Sequence, residues 1–352
     1  MKKTILVFLA ALLLLPAGNA AAADAPPETA AKAMIVLHGA SGRVLAEKNA
    51  DEPMLIASTT KLMTALVAAE DDLARETEIQ PAWTTVEGSS MYLRAGERYT
   101  LYELLQGLLL ASGNDAALAI AETVSGSETA FVERMNARAE ELGLTHTHFV
   151  NPHGLDAEGH GSTARDLAML MSAVMDCVPL REILGTRSCS IHNKYYVNHN
   201  KLLGKCPGVN GGKTGYTMAA GRCLVTSCQR DGLELICVTL SDPTDWEDHA
   251  SLYDWAYESF GAFSVGEEID LPAVPLISAA RAEAQVSLAE TPVLCLDKDS
   301  RVTVRVHLPP FVFAPIRQGA SAGTAEILSD GRRIWETPLV WAENAGVDIP
   351  TG

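Results

Sequence analysis

The sequence predicts an α+β protein: a larger domain in which helices cover an antiparallel sheet, followed by a small all-β domain. Three observations predict it. Strand-like apolar runs stand near both ends of the region up to about residue 260, with helical periodicity between them. Two Asp-Gly pairs, Asp231-Gly232 and Asp330-Gly331, each separate two strand patterns as a two-residue hairpin does. From Arg301 to Leu308, polar and apolar residues alternate strictly, the period of a half-buried strand. The 352 residues are 47% hydrophobic and 20% charged, enough apolar material for two domains with full cores.

The first element is read as a leader rather than as structure. Lys2 and Lys3 precede an apolar run from Ile5 to Leu15; Pro16 and Gly18 then break it, and small residues follow to Ala23. That order is a secretory signal peptide over 1–23, and the run is short of the roughly 20 residues that a membrane-spanning helix needs. The chain is therefore expected to be exported to the outer side of the cytoplasmic membrane, in the cell envelope or beyond it.

From 24 to 267 the larger domain follows. Ala33 to Leu37 and Val44 to Glu47 are strands around a turn at Ser41-Gly42-Arg43, which opens the domain with a hairpin. Leu62, Met63, Leu66 and Val67 recur at helical spacing, which predicts a helix from Ser58 to Ala69. Further helices are expected over 101–111, 115–124 and 127–142. Strands return at 222–229 and 233–240. The sheet should thus be built from both ends of the domain. Residues 268–352 form the small β domain: Val302, Val304, Val306 and Leu308 face one side, and Glu326 to Ser329 and Arg332 to Trp335 flank the second Asp-Gly pair.

Charge limits the partners. With 27 Lys+Arg against 44 Asp+Glu the net charge is −17, and such a surface repels a phosphate backbone and an anionic lipid face. Nucleic acid is excluded as a partner on that ground. The final stretch from Trp341 to Gly352 is acidic and aperiodic, so no stable membrane anchor is expected in this sequence. His146, His148, His153 and His160 cluster in sequence but match no zinc spacing, and no metal or other cofactor is called for. Seven cysteines leave one unpaired at best. Cys228 and Cys237 fall among apolar strand residues as buried thiols, while Cys189 and Cys206, flanking the segment before Gly211, are the favoured pair should any bridge form; the sequence leaves the pairing open.

Three short motifs carry chemistry. Ser58-Thr59-Thr60-Lys61 opens an apolar helix, and residues three apart share a helix face, so the Lys61 amine can reach the Ser58 hydroxyl. A serine needs such a base to become a nucleophile, and a helix N-terminus favours the neutral amine. Its backbone N–H groups also suit a developing oxyanion. Alone the motif is weak, since a chain of this length yields about one Ser-x-x-Lys by chance. Ser112-Gly113-Asn114 follows the apolar helix; Ser112 offers a hydroxyl for proton relay, and the Asn114 amide suits a peptide backbone or the Lys61 amine, although both residues also favour helix ends. Lys213-Thr214-Gly215-Tyr216 is expected on a strand lining the site. There Lys213 supplies a fixed positive charge, Thr214 a hydroxyl, and Gly215 close approach of another backbone, as a carboxylate-ended peptide added to the sheet would need.

In this order the three motifs resemble those of the serine D-Ala-D-Ala carboxypeptidases, the low-molecular-mass penicillin-binding proteins of peptidase family S11. The likeness extends to Glu87-Gly88-Ser89-Ser90-Met91, Thr147-His148-Phe149-Val150-Asn151-Pro152-His153-Gly154-Leu155, Ser162-Thr163-Ala164-Arg165-Asp166 and Val197-Asn198-His199-Asn200, over roughly residues 30–260. It implies the penicillin-binding-protein/β-lactamase-like catalytic fold. It also implies a Ser58 acyl-enzyme, Lys61 as proton acceptor, and Ser112 and Asn114 assisting transfer and holding the peptide. Lys213 and Thr214 would bind the terminal carboxylate, and the Ser58 and Tyr216 N–H groups would form the oxyanion hole. The implied substrates are peptidoglycan stem peptides ending in D-Ala-D-Ala, with β-lactam antibiotics as covalent inhibitors. Two positions depart from the pattern, Asn210 where the family usually has Asp and Ile56 where it often has Pro; neither is a catalytic group. A β-lactamase of similar fold would need a Glu shortly before an Asn on the loop after the second motif, and none stands four residues ahead of an Asn between Glu141 and Asp166. A non-catalytic wall-binding or scaffolding protein would not need the full set of Ser58, Lys61, Ser112, Asn114, Lys213 and Thr214.

Overall fold

A computed structural model describes residues 9–14, 25–266 and 269–347. The chain divides into two compact units, Ala25–Glu258 and a second made of Ser259–Gly352 with Met1–Asp24.

The larger unit is built on a five-stranded antiparallel sheet. β1 (Ala33–His38) and β2 (Val44–Lys48) form the opening hairpin; after the helices come β3 (Ser188–Ile191) and β4 (Lys194–Val197), a separate two-stranded ribbon. β5 (Val209–Thr217), β6 (Gly221–Arg230) and β7 (Leu233–Leu240) then run as a meander, and the sheet order is β2-β1-β7-β6-β5. Both ends of the unit thus meet in one sheet through β1 and β7, Ile35 lying opposite Val238. Asp231 and Gly232 have φ of 48° and 78°, the left-handed pair that a tight hairpin with matching twist demands.

α2 (Leu101–Leu110), α3 (Asn114–Ser125) and α4 (Glu128–Glu141) follow the predicted spans closely, and α1 (Lys61–Ala68) is shorter than expected; α5 (Ala164–Asp176), α6 (Val178–Gly185) and α7 (Asp245–Ser259) complete the set in this unit. α1 is buried along its whole length because α2, α3, α4 and α5 surround it. Apart from Lys61 and Thr64 its residues are apolar, as a helix at such a centre requires. α2 begins at a capping box, in which the Thr100 hydroxyl accepts from Glu103 N–H and the Glu103 carboxylate accepts from Thr100 N–H. That fixes the register of the helix whose far end delivers Ser112.

The second unit centres on another antiparallel sheet. β8 (Val302–Leu308) pairs with β9 (Ser321–Ser329), and β9 with β10 (Arg332–Trp341) across the Asp330-Gly331 turn, whose φ values are 49° and 80°. Val304, Val306 and Leu308 are buried as the alternation requires. Leu9–Leu14, within the run expected to belong to the signal peptide, pairs through its backbone with β8; the rest of 1–23 lies outside the described residues.

Two expectations are corrected. The helix does not begin at Ser58: Ala57–Thr60 form a 3-10 turn and the α-helix starts at Lys61. The Thr59 and Thr60 hydroxyls donate to the carbonyls of Ile56 and Ala57, which competes with α-helical pairing and tightens the turn. No disulfide joins Cys189 to Cys206; both stand as thiols. Closeness in sequence to Gly211 does not bring them together, since Cys189 pairs in register with Tyr196 on the ribbon, whereas Cys206 lies 3.5 Å from Arg230 Nη2 beside β6.

Candidate active site

The 3-10 turn decides the geometry of the first motif. At three residues per turn, side chains i and i+3 eclipse one another, so Lys61 Nζ stands 2.9 Å from Ser58 Oγ. Ala57, just before the serine, has φ 46°, a left-handed conformation that a non-glycine residue adopts only when its surroundings enforce it. The enforcement comes from the 145–161 loop. Gly154, at φ 88°, approaches so closely that a Cβ there would lie 2.0 Å from the Ala57 carbonyl oxygen. From the other side β5 closes in: a Cβ on Gly215 would lie 3.1 Å from Ser58 N. Only glycine permits either contact.

Lys61 is fully buried, and its amine has three partners. Besides Ser58 Oγ, it donates to Asn114 Oδ1 at 2.7 Å and to the His153 carbonyl at 2.5 Å. Burial drives its pKa far below the ordinary lysine value, the nearby Lys213 lowers it further, and Asp115 opposes the shift. A neutral amine has two N–H bonds and one lone pair. With both hydrogens given to Asn114 and His153, the lone pair is left for the Ser58 hydroxyl. The sequence argument placed the cause in a helix N-terminus; burial and Lys213 are causes that act in the same direction.

Ser112 joins α2 to α3 at φ 59°, again left-handed. Its hydroxyl accepts from Lys213 Nζ at 3.0 Å, and Lys213 also donates to the Thr214 carbonyl at 2.7 Å. Lys213 is likewise fully buried, and burial pulls its pKa down to about 7. The fixed charge expected of it is therefore conditional: near neutral pH the free protein holds Lys213 only partly as ammonium, and an incoming carboxylate would favour the charged form.

All eight residues singled out from the sequence converge. Ser58, Ser112, Thr214, Gly215 and Tyr216 line one cavity of about 280 Å³, while Lys61, Asn114 and Lys213 lie buried behind it. Tyr216 is exposed at the rim. Sequence reasoning missed several supports. The His153 contribution is a main-chain oxygen, which no side-chain pattern announces. His160, one of the four histidines clustered in sequence, has Nε2 2.8 Å from Thr60 Oγ1 while its Nδ1 accepts from Val150 N–H, so it braces the Ser58 turn. Among the described residues, no three His, Cys, Asp or Glu converge as a metal ion would require. Asp115 is a buried hub, accepting from Met91, Leu93 and Ala116 N–H and from the Ser90 hydroxyl. Arg222, paired with Asp245 and 5.4 Å from the Trp246 ring, also lines the cavity. At the departing position, Asn210 Nδ2 donates to Glu234 Oε1; an Asp there would set two carboxylates against each other.

Known proteins share this arrangement of sequence and fold. Residues 19–244 match the model of the family Peptidase S11, D-alanyl-D-alanine carboxypeptidase. The D-alanyl-D-alanine carboxypeptidase DacF of Bacillus subtilis is 32% identical, covering 89% of this chain and 85% of its own. DacC of Escherichia coli is 33% identical over 90% of this chain and 85% of its own. The solved structure of penicillin binding protein 5 from Haemophilus influenzae superposes with a TM-score of 0.78 at 27% identity, covering 92% of this chain and 99% of that one. The chain belongs to the peptidase S11 family and is a serine-type D-alanyl-D-alanine carboxypeptidase.

Proposed function

We propose that the chain removes the terminal D-alanine of peptidoglycan stem pentapeptides through a Ser58 acyl-enzyme, and that β-lactams trap the same serine. The observation that carries this reading is the Lys61 amine, buried, with its N–H bonds committed to Asn114 and His153 and its third contact on Ser58. Lys61 takes the Ser58 proton as Oγ adds to the penultimate D-alanine carbonyl. The N–H groups of Ser58 and Tyr216 receive the oxyanion, and the glycine contact between β5 and the Ser58 turn supports that pairing. Lys61 gives the Ser58 proton back through Ser112 to the departing amine as the C–N bond breaks; neutral again, it takes a proton from the water that attacks the ester, and the proton returns to Ser58 Oγ as the acid leaves. Lys213 and Thr214 hold the terminal carboxylate, and Asn114 steadies the peptide. Such substrates lie outside the cytoplasmic membrane, in keeping with the leader read in residues 1–23.

Incubation with a fluorescent penicillin tests this. A covalent adduct on folded wild-type protein, absent from Ser58→Ala and slowed at least a hundredfold in Lys61→Ala, is the expected result. Equal labelling of Ser58→Ala would overturn the assignment of the nucleophile.

A further inference from the structure

The 145–161 loop meets the catalytic turn through more than the His153 carbonyl. Three contacts run along one side of the turn and of α1: His160 Nε2 lies 2.8 Å from Thr60 Oγ1, Lys61 donates to the His153 carbonyl, and the Thr64 hydroxyl donates to the Pro152 carbonyl at 2.6 Å. Lys61 and Thr64 are the polar side chains of α1, and both are spent on this loop. The loop also holds itself. Asn151 Oδ1 accepts from the N–H groups of His153 and Gly154, while its Nδ2 donates to the Leu155 carbonyl, so residues 151–155 form one rigid turn. His160 ties that turn to the nucleophile segment, because Val150 N–H, just ahead of it, donates to His160 Nδ1 at 3.0 Å.

The direction of these bonds fixes the state of the ring. An imidazole nitrogen that accepts carries no hydrogen, so the ring hydrogen of His160 is on Nε2 and is given to Thr60 Oγ1. The Thr60 hydroxyl passes its own hydrogen to the Ala57 carbonyl at 2.8 Å. Burial keeps the ring neutral, its pKa pushed down to about 4, with His148 lowering it further and Asp156 opposing. Donors thus run one way, from Val150 through His160 and Thr60 to Ala57, the residue held at φ 46° beside Ser58. Packing alone does not ask for this: a phenylalanine would fill the same space against Phe149, whose ring His160 meets edge-on at 5.9 Å. We propose that His160 is a positioning residue for acylation: by joining Val150 to Thr60 it sets the His153 carbonyl on one N–H of Lys61, so that the amine lone pair is aimed at Ser58. Without the bridge the loop and the turn shift past one another, and an amine offered a looser acceptor turns its lone pair away from the serine hydroxyl.

The inference rests on the proposed function, and folded variants separate the two. Labelling by a fluorescent penicillin is followed over a range of concentrations, which gives the noncovalent binding constant and the acylation rate constant apart. His160→Phe should lower the rate constant about ten- to a hundredfold with binding within about threefold, because the ring still packs while the bridge is lost. His160→Gln, whose terminal amide both accepts and donates, should return the rate constant to within about threefold of wild type. Thr60 reports from the other end of the bridge: Thr60→Val should lose about as much as His160→Phe, Thr60→Ser should lose little, and the double variant His160→Phe/Thr60→Val should be no slower than the slower single one. A wild-type rate constant in His160→Phe, equal losses in His160→Phe and His160→Gln, or losses that multiply in the double variant would overturn the positioning role alone. Should His160→Phe not fold, the Thr60 pair decides, and equal rate constants in Thr60→Val and Thr60→Ser would overturn the role. Absence of labelling in wild type would overturn the function on which it rests.

Discussion

Two buried lysines stand side by side, and the chemistry asks opposite states of them. Lys61 must be neutral to accept a proton, so activity should rise as pH climbs through its lowered pKa. Lys213 must be an ammonium to hold a carboxylate, so activity should fall as pH climbs through its own value of about 7 in the free enzyme. The expected kcat/KM profile is a bell. Because a bound carboxylate favours the ammonium, the alkaline limb of kcat should lie above that of kcat/KM; coincident limbs would exclude Lys213 as the anchor. Lys213→Ala gives a second check. Losing a charge-assisted hydrogen bond of about 1.5–3 kcal/mol should lower kcat/KM roughly ten- to a hundredfold for a carboxylate-ended peptide, and unchanged kcat/KM would contradict the role. At this scale the sequence located the eight side chains that converge in the site, but not the His153 carbonyl or Arg222. It also gave the two amines different roles, Lys61 as base and Lys213 as carboxylate anchor; it did not show that both are fully buried, which lowers the pKa of each.

Among the elements, α2 is the one whose placement the site feels through its end. Its start is fixed by the Thr100–Glu103 capping box, and its last turn leads into Ser112, itself in a left-handed conformation. Thr100→Ala should cost about 1 kcal/mol in urea denaturation while leaving kcat per folded molecule within twofold, because the cap stabilises the helix without touching substrate. A large fall in kcat with no loss of stability would show that the cap positions Ser112. Element boundaries were largely legible: the periodicity predicted α2, α3 and α4 to within a residue or so, and the two Asp-Gly pairs became left-handed hairpin turns. The 3-10 turn at Ala57–Thr60 was not legible. It follows from threonine hydroxyls taking local carbonyls and from the press of Gly154 and Gly215, contacts made by segments far away in the chain.

Across the catalytic unit, the site is assembled from Ser58, Ser112, the His153 carbonyl and Lys213, which come from a 3-10 turn, an interhelix turn, a loop and a sheet edge. No one segment holds it. Penicillin reactivity should therefore vanish in the same urea transition as the helical circular dichroism of this unit, since losing any of the four elements disperses the groups. Reactivity lost at distinctly lower urea would mean that one element, most simply the 145–161 loop, opens first. Among the described residues, no helix is long and apolar enough to cross a membrane.

By itself the sequence determined the kind of chemistry. Ser58-x-x-Lys61, Ser112-x-Asn114 and Lys213-Thr214-Gly215 supply the residue types that the proposed nucleophile, base, relay and anion anchor need, at spacings that suit those roles. It also determined the two-part α+β plan, because strand and helix periods are local properties. Tertiary structure alone decided that Lys61 and Lys213 are both fully buried, that a main-chain oxygen of His153 completes the hydrogen bonds of Lys61, and that Cys189 and Cys206 stay apart. Each of these depends on burial or on contact between distant segments. Desolvation and close approach are properties of the packed chain, and no window of sequence contains them.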